Sequence, residues 1–381
     1  MTRRRTIIIV TEKHLFPVNE GNRARIVTLV RSLRALGFFV VLIARRPSGV
    51  LATLQTRWLA DRFLSVETER FARGSPSAYD CSAFEGPLKA AVDRFSPVAV
   101  IAEYIWMAPC LDVVGNGVLR LIDTHDLMHG RRQFRGRLSN IWVDCSIDEE
   151  RLLLEKADVV MAIQPIELQR FREMLPSRDI ICVPHYVPVR PMTGSGDDVG
   201  VVIVASDNPG NVDGLASFLD RSWPVIRKRQ PSAELRIYGT LADVAPVAER
   251  LRSIGYVRSL RRAYRDAAVV INPVRFGTGL KIKNVEALAL GKALVTTSCG
   301  AEGLESGAGA AFVVEDDMDR FGHAVAALLA DRDARDRLGD AAAAFAGQQF
   351  GREQIYGSFL QLVASRRFDP DRELRTAAGR R

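Results

Sequence analysis

Cysteine is scarce and scattered. Cys81, Cys110, Cys145, Cys182 and Cys299 form no CxxC pair and have no histidines at ligand spacing, so neither a disulfide framework nor a zinc site is indicated. Long apolar runs are missing too, and no segment reaches the length that crosses a bilayer. The start, MTRRRTIIIV, passes from three arginines straight into a strand-like run, without the extended apolar stretch and small-residue cleavage site of a secretory signal. The expected location is therefore the cytoplasm. No GxGxxG follows the first strand, which disfavours an ordinary dinucleotide-binding dehydrogenase. Repeats at solenoid spacing are absent as well.

What remains is an ordinary globular composition, 47% hydrophobic and 26% charged, over 381 residues. That length exceeds the usual size of one core, so two domains are expected. The net charge of +8 suits nucleic acid, an anionic membrane face or anionic small molecules. Basic residues gather at Arg3–Arg5, Arg131–Arg137 and Arg372–Arg381, but no nucleic-acid module or interleaved aromatic residues accompany them, which disfavours nucleic acid. A peripheral contact with an anionic leaflet stays open.

Periodicity predicts a doubly wound α/β pattern. Thr6–Thr11 reads as a buried strand, a helix runs from Arg23 to about Leu36, and Phe38–Ala44 is the next strand. Gly21, where the first strand gives way to its helix, is either a point of close substrate approach or an ordinary turn glycine. Strands are expected at 98–103, 119–124, 159–163 and 179–183, and ligands of parallel sheets gather beyond strand carboxyl ends. Two polar groups lie there, Glu103 with Tyr104, and Asp123, Thr124, His125 and Asp126. A histidine between two carboxylates suits a ligand site, although a structural hydrogen bond at a loop start would explain it too.

The proline- and glycine-rich stretch from Pro184 to Gly200 reads as a linker, after which the pattern restarts. The second unit should hold a strand at 201–205, a helix from about Asp213 to Arg229, a strand at 234–238, a helix around Pro246–Arg252, another at 259–266 and a strand at 268–272. Asn208, Asn211 and Asp213 could reach a ligand across the cleft or simply serve as turn and cap residues. Asp317 and Asp319 read as a helix start; the rival reading is a metal site. Helices at about 318–346 and 352–365 end the chain, followed by a flexible tail.

The most informative stretch is INPVRFGTGLKIKNVEALALGKALVTTSCGAEGL, from Ile271 to Leu304. A strand turns through Gly277 and Gly279 into a helix whose first turn carries Lys281 and Lys283. A helix start already presents positive charge, and acidic residues belong there. Two lysines make sense if an anion, read here as a diphosphate, sits among them and the free backbone N–H groups; otherwise they point into water. Glu286, one turn on, can accept hydrogen bonds from a ribose diol.

The two α/β units, the proline-rich hinge and the GxGxKxKxxEAxA pattern resemble a GT-B glycosyltransferase. More closely, the chain resembles the retaining group 1, family 4-like enzymes of bacterial polysaccharide and glycoconjugate biosynthesis. SDNPGNVDGLASFLDRSWPVI, FPVNEGNRAR, AEYIWMA, LIDTHDLMHGR and DEERLLLEKADVVMAIQ add to the likeness. It implies two Rossmann-like domains facing across a cleft, 1–188 on the acceptor side and 200–351 on the donor side. Between them lies a hinge at 189–199; a helix at about 352–366 packs back on the first domain, and 367–381 form the tail.

The resemblance further implies a nucleoside diphosphate sugar as donor substrate, no required cofactor or metal, and a glycan, lipid-linked or small-molecule acceptor. Gly277, Gly279, Lys281 and Lys283 match positions around the donor diphosphate, Glu286 the ribose carboxylate, His125 the histidine near the donor sugar, Gly21 the loop facing the diphosphate, and Glu302 the loop beside the nucleotide. His125, Lys281 and Lys283 are the expected catalytic groups, and Glu103, Tyr104, Asp123 and Asp126 the acceptor-side candidates. Two departures stand out. Thr278 occupies a position where many relatives carry a carboxylate, and Asn208 and Asn211 replace an Arg and Lys pair. A nucleotide-sugar 2-epimerase and a non-catalytic sugar-nucleotide binder are the alternatives.

Overall fold

The computed structural model describes residues 4–71, 74–134, 143–192, 198–257 and 259–365. The first unit runs β1 (Thr6–Thr11), α1 (Gly21–Ala35), β2 (Phe39–Arg45), α2 (Val50–Leu59), β3 (Arg62–Val66), α3 (Ser82–Phe95), β4 (Ala99–Glu103), β5 (Leu119–Asp123), α4 (Ile147–Leu154), β6 (Val159–Ala162), α5 (Pro165–Met174) and β7 (Asp179–Cys182). Its seven strands pair parallel in the order β3-β2-β1-β4-β5-β6-β7.

The second unit runs β8 (Gly200–Val204), α6 (Pro209–Ser217), α7 (Trp223–Arg229), β9 (Glu234–Tyr238), α8 (Leu241–Val244), β10 (Leu251–Gly255), α9 (Leu260–Arg265), β11 (Val269–Asn272), α10 (Ile282–Ala289), β12 (Leu294–Thr296) and β13 (Val313–Val314). It forms a six-stranded sheet ordered β10-β9-β8-β11-β12-β13. Three helices close the chain: α11 (Met318–Ala330), α12 (Arg332–Gln349) and α13 (Arg352–Ser365).

A sheet covered by helices on both faces needs continuous apolar strands, and TIIIVT supplies one that is buried throughout. Ile7, Ile8 and Ile9 lose all solvent contact, each worth about 1.5 to 3 kcal/mol of transfer free energy. Helix α1 covers the sheet with Ile26, Val27, Leu29, Val30 and Leu33. Strand order reverses between β1 and β4 in one sheet and between β8 and β11 in the other, and each reversal opens a crevice at the carboxyl ends. The crevices face each other: the Ile282 side chain of α10 lies 3.5 Å from where a Cβ on Gly21 would stand.

Helix α13 returns to the first unit. Phe359 meets Phe38 edge to face at 6.3 Å, and Arg5 donates to the Val363 carbonyl at 3.2 Å. Of the connecting stretch, Arg190 and Met192 hydrogen-bond the carbonyls of Ala289 and Leu290. Residues 193–197, the tail 367–381, Arg3 and Arg135–Arg137 lie outside the described residues.

Three helix expectations change. No helix forms around Pro246–Arg252; Leu251–Gly255 is an edge strand whose side chains are mostly exposed, so it carries no apolar alternation and is specified by backbone pairing with β9. The helix expected from Asp213 begins at Pro209, because the Asn208 side chain accepts from the Asn211 N–H and proline fits the first turn. The long helix expected from 318 is cut at Asp331, whose carboxylate caps the next helix through Ala334 N–H. Asp317 caps α11 through the N–H groups of Asp319 and Arg320, as the helix-start reading requires. Among the described residues, no helix is long and apolar enough to cross a membrane.

Candidate functional site

The turn between β11 and α10 carries Gly277 at φ 128° and Gly279 at φ 80°, backbone conformations that a side chain would strain. Helix α10 begins without a side-chain cap and with no acid in its first turn, so its N–H groups stay available to an anion. Both lysines turn inward. Lys281 Nζ donates to the Gly279 carbonyl at 2.7 Å and lies 3.3 Å from Glu302 Oε2; Lys283 Nζ donates to Asn211 Oδ1 at 2.6 Å. Burial, aided by the neighbouring Lys281 charge, pushes the Lys283 ammonium down to about 7. Burial pushes the Glu286 carboxyl up to about 7, against the hydrogen bond from the Tyr264 hydroxyl. That hydroxyl also donates to the Lys283 carbonyl at 3.0 Å and steadies the first turn.

Asn284 ties this turn to the loop after β12. Its amide donates to the Gly300 carbonyl at 2.7 Å and accepts from Asn272 at 3.0 Å. Gly300 has no room for a side chain, since a Cβ would stand 2.0 Å from Thr296 Oγ1. The loop holding Glu302 is thereby set beside the lysines.

In the first unit, Glu103 and Asp123 end neighbouring strands in register and are fully buried. Arg25 of α1 reaches Asp123 with two hydrogen bonds, at 2.7 and 2.5 Å, and donates to the Val183 carbonyl. His125, at φ 60°, puts Nε2 at 2.6 Å from Glu103 Oε2. Its ring stacks on Tyr104 at 4.0 Å, which stacks on Trp106 at 4.1 Å. Burial and the Asp123 charge drive the Glu103 carboxyl well up, and burial drives His125 down to about 3. Both shifts favour an uncharged pair sharing one proton. The ligand atoms of Glu103, Asp123 and His125 lie within 4.8 Å of one another, close enough to hold a metal ion, but the Arg25 guanidinium already supplies a cation to Asp123.

Of the residues expected on the acceptor side, Glu103, Tyr104 and Asp123 are buried and engaged with Arg25 or His125. Asp126 alone of that set reaches the other unit. Its carboxylate accepts from Thr278 Oγ1 at 2.8 Å and from Arg131 Nε at 2.8 Å. The His125 carbonyl lies 3.5 Å from where a Cβ on Gly279 would be.

Beside this junction opens a cleft of about 300 Å³, lined by Arg170, Arg275, Gly277, Thr278, Cys299 and Glu302 among others. Gln164 packs so closely against the loop that carries Glu302 that a Cβ on Gly303 would fall 2.3 Å from its Oε1. The neighbouring Glu167 is pushed up to about 8, by burial first and the Asp126 charge second. Asn208 is occupied as the cap of α6, whereas Asn211 faces Lys283.

Sequence reasoning missed Arg25, Arg131, Tyr264, Asn284 and Gln164. Arg25 had a signal, an arginine four residues before Leu29 on the buried stripe of α1. The others join their partners through tertiary packing and leave no trace in spacing.

Residues 198–331 match the Glycosyl transferases group 1 family. A 44.6 kDa protein of the cps region of Klebsiella pneumoniae is 28% identical over 123 residues, 29% of this chain; the match spans 31% of that protein's length. Among solved structures, sucrose-phosphate synthase from Thermosynechococcus elongatus superposes with a TM-score of 0.73 at 15% identity, over 95% of this chain and 99% of the other. TarM from S. aureus, solved with UDP and alpha-GlcNAc-glycerol, gives 0.72 at 9% identity, over 94% and 99%. HepE of Anabaena, solved with UDP and glucose, gives 0.67 at 11%, over 95% and 100%. At such identities these likenesses speak for the fold alone. Within a two-domain GT-B frame, residues 198–331 are the part of the chain that is similar to the group 1 glycosyltransferases.

Proposed function

We propose that the protein moves a sugar from a nucleoside diphosphate sugar to a hydroxyl of a glycan, lipid-linked or small-molecule acceptor, with retention at the anomeric carbon and without a metal ion. The setting proposed is bacterial polysaccharide or glycoconjugate synthesis, on the cytoplasmic side and in peripheral contact with an anionic leaflet. The observation that carries the reading is the pair of inward-turned lysines at an uncapped helix start, with one ammonium pushed down to about 7 by burial and then by its neighbour's charge. A diphosphate there would satisfy both lysines and the free N–H groups together.

As the bond from the anomeric carbon to the diphosphate lengthens, negative charge grows on the leaving oxygens. Lys281, Lys283 and the start of α10 stabilise that charge from fixed positions. Glu286, beside Tyr264, accepts from the ribose hydroxyls. The leaving phosphate takes the acceptor proton during same-face attack. Thr278 holds the Asp126 carboxylate at the junction, where it accepts from a donor-sugar hydroxyl, and the His125 carbonyl lies alongside. Glu302, Gly21 and the cleft residues enclose the nucleotide and limit hydrolysis.

Thermal stabilisation by a panel of nucleoside diphosphates, UDP first because TarM and HepE were solved with it, tests donor binding. A ligand at about a hundred times its dissociation constant adds roughly 2.7 kcal/mol. Product formed from donor alone would favour epimerisation, and activity lost to a chelator would remove the metal-free mechanism. Binding without turnover across an acceptor panel would leave a binder.

A further inference from the structure

Helix α2 has two apolar faces where a surface helix ordinarily has one. Ala52, Thr56 and Leu59 are buried against the sheet. On the outer side, Val50 is 79% exposed, Leu51 64%, Leu54 40% and Trp58 77%. Spacing of four residues lines Val50, Leu54 and Trp58 into a ridge, with Leu51 beside it. Among the described residues, none covers these side chains.

The surrounding charge is one-sided. From Arg45 to Arg62 the chain carries four arginines, Arg45, Arg46, Arg57 and Arg62, against the single acid Asp61. Asp61 is already paired with Arg4 and Arg34. Arg34 also donates to the Trp58 and Leu59 carbonyls, which fixes the indole end of the ridge next to a further cation. Arg46 pairs with Glu67, while Arg57 and Arg62 are exposed. An apolar ridge ending in tryptophan and ringed by arginines has the chemistry of a surface that lies in the headgroup region of a bilayer.

We infer that the outer face of α2, through Leu51, Leu54 and Trp58 with Arg57 and Arg62, docks the protein onto an anionic lipid surface. This deepens the proposed peripheral contact and rests on that reading. The helix starts beyond the carboxyl end of β2 and runs back to the amino edge of the sheet, where Trp58 lies beside Arg34 and Arg62 opens β3, so the docking face lies along the flank of the first unit and leaves the cleft uncovered. A second copy fits less well. A stable dimer buries roughly 800 Å² on each partner, far more than a ridge of four side chains. A two-fold contact would also set Arg57 and Arg62 against their own copies.

The test is cosedimentation of the full chain with phosphatidylcholine vesicles, with and without phosphatidylglycerol. Binding is expected only with the anionic lipid, and weaker as salt rises. Leu51→Ser with Trp58→Ser should lower partitioning about tenfold or more. Arg57→Gln with Arg62→Gln should lower it about twenty-fivefold, at about fivefold for each charge lost. Trp58→Phe should keep binding but remove the blue shift of the tryptophan emission that vesicles produce. No binding by the parent chain, binding undiminished in both double variants, or a dimer dispersed by the same substitutions would each overturn the inference. Stabilisation by the nucleoside diphosphate panel, measured without vesicles, keeps the two readings apart: its persistence alongside failed docking removes only the surface, and its absence across the whole panel removes the donor reading.

Discussion

The two halves of the cleft handle buried charge in opposite ways. At the first sheet's strand ends, Arg25 matches Asp123 with two hydrogen bonds and His125 shares a proton with an uncharged Glu103, so no charge is left unmatched within that cluster. Across the cleft, Lys281 and Lys283 have neutral carbonyl or amide oxygens as their nearest partners, and among the described residues the one ion pair that offsets them is with Glu302 at 3.3 Å. A matched cluster maintains shape. An unmatched one keeps free energy in reserve for a ligand of the missing sign, and the depressed Lys283 ammonium is the local sign of it.

The comparison breaks most sharply if a cation is removed from each side. Arg25→Met leaves Asp123 buried without its partner, and breaking such a pair costs about 3 to 5 kcal/mol. The urea midpoint should fall accordingly. Lys283→Met removes a buried cation that the fold does not need, so its urea midpoint should hold or rise. Its turnover should instead drop about a hundredfold to a thousandfold, the scale of losing one preorganised donor to a developing oxyanion. Equal losses of stability in the two variants would erase the distinction.

The unmatched side was the more legible in sequence. Gly277, Gly279, Lys281 and Lys283 are close in the chain, so their helix-start chemistry shows in spacing alone. The alternating strands and helices were legible for the same local reason, and β1 matches its expected span residue for residue. The matched side hid its logic because Arg25 lies 98 residues from Asp123, and nothing in either segment names the other. Glu103 and Asp123 looked like free polar groups at strand ends for want of that partner. Where the chain relied on edge pairing, as at Leu251–Gly255, or on a single capping carboxylate, as at Asp331, periodicity also failed.

Proton linkage sharpens the contrast. Lys283 sits near 7 when the site is empty, and a bound diphosphate raises it. Below pH 7 the ammonium is already formed, so Lys283 adds no pH dependence to UDP affinity. Above 7, binding must take up a proton, so affinity should fall by up to about tenfold per pH unit until the raised value is reached. Glu286, pushed up to about 7, works in the other direction because its ionised form is the better acceptor for a ribose diol. Calorimetry in buffers of different ionisation heat, with Glu286→Gln as background, should show proton uptake at pH 8 that Lys283→Met abolishes. No uptake would mean the lysine is charged before UDP arrives.

The smallest expected effect lies where the two sides touch. Thr278→Val keeps the shape of the side chain, including its methyl beside Gly130, and removes only the hydroxyl that donates to Asp126. Asp126 still accepts from Arg131 and from the Leu127 N–H, so no buried acceptor is stranded and the thermal midpoint should not move. A net hydrogen bond is worth about 1 kcal/mol, and if it contributes to closing the domains over the donor, KM for the donor should rise about fivefold while kcat stays nearly constant. Thr278→Ser should restore KM. A kcat loss without a KM change would instead mean that Thr278 and Asp126 act at the reacting sugar, so the split between the two constants tells a closing contact from a catalytic one.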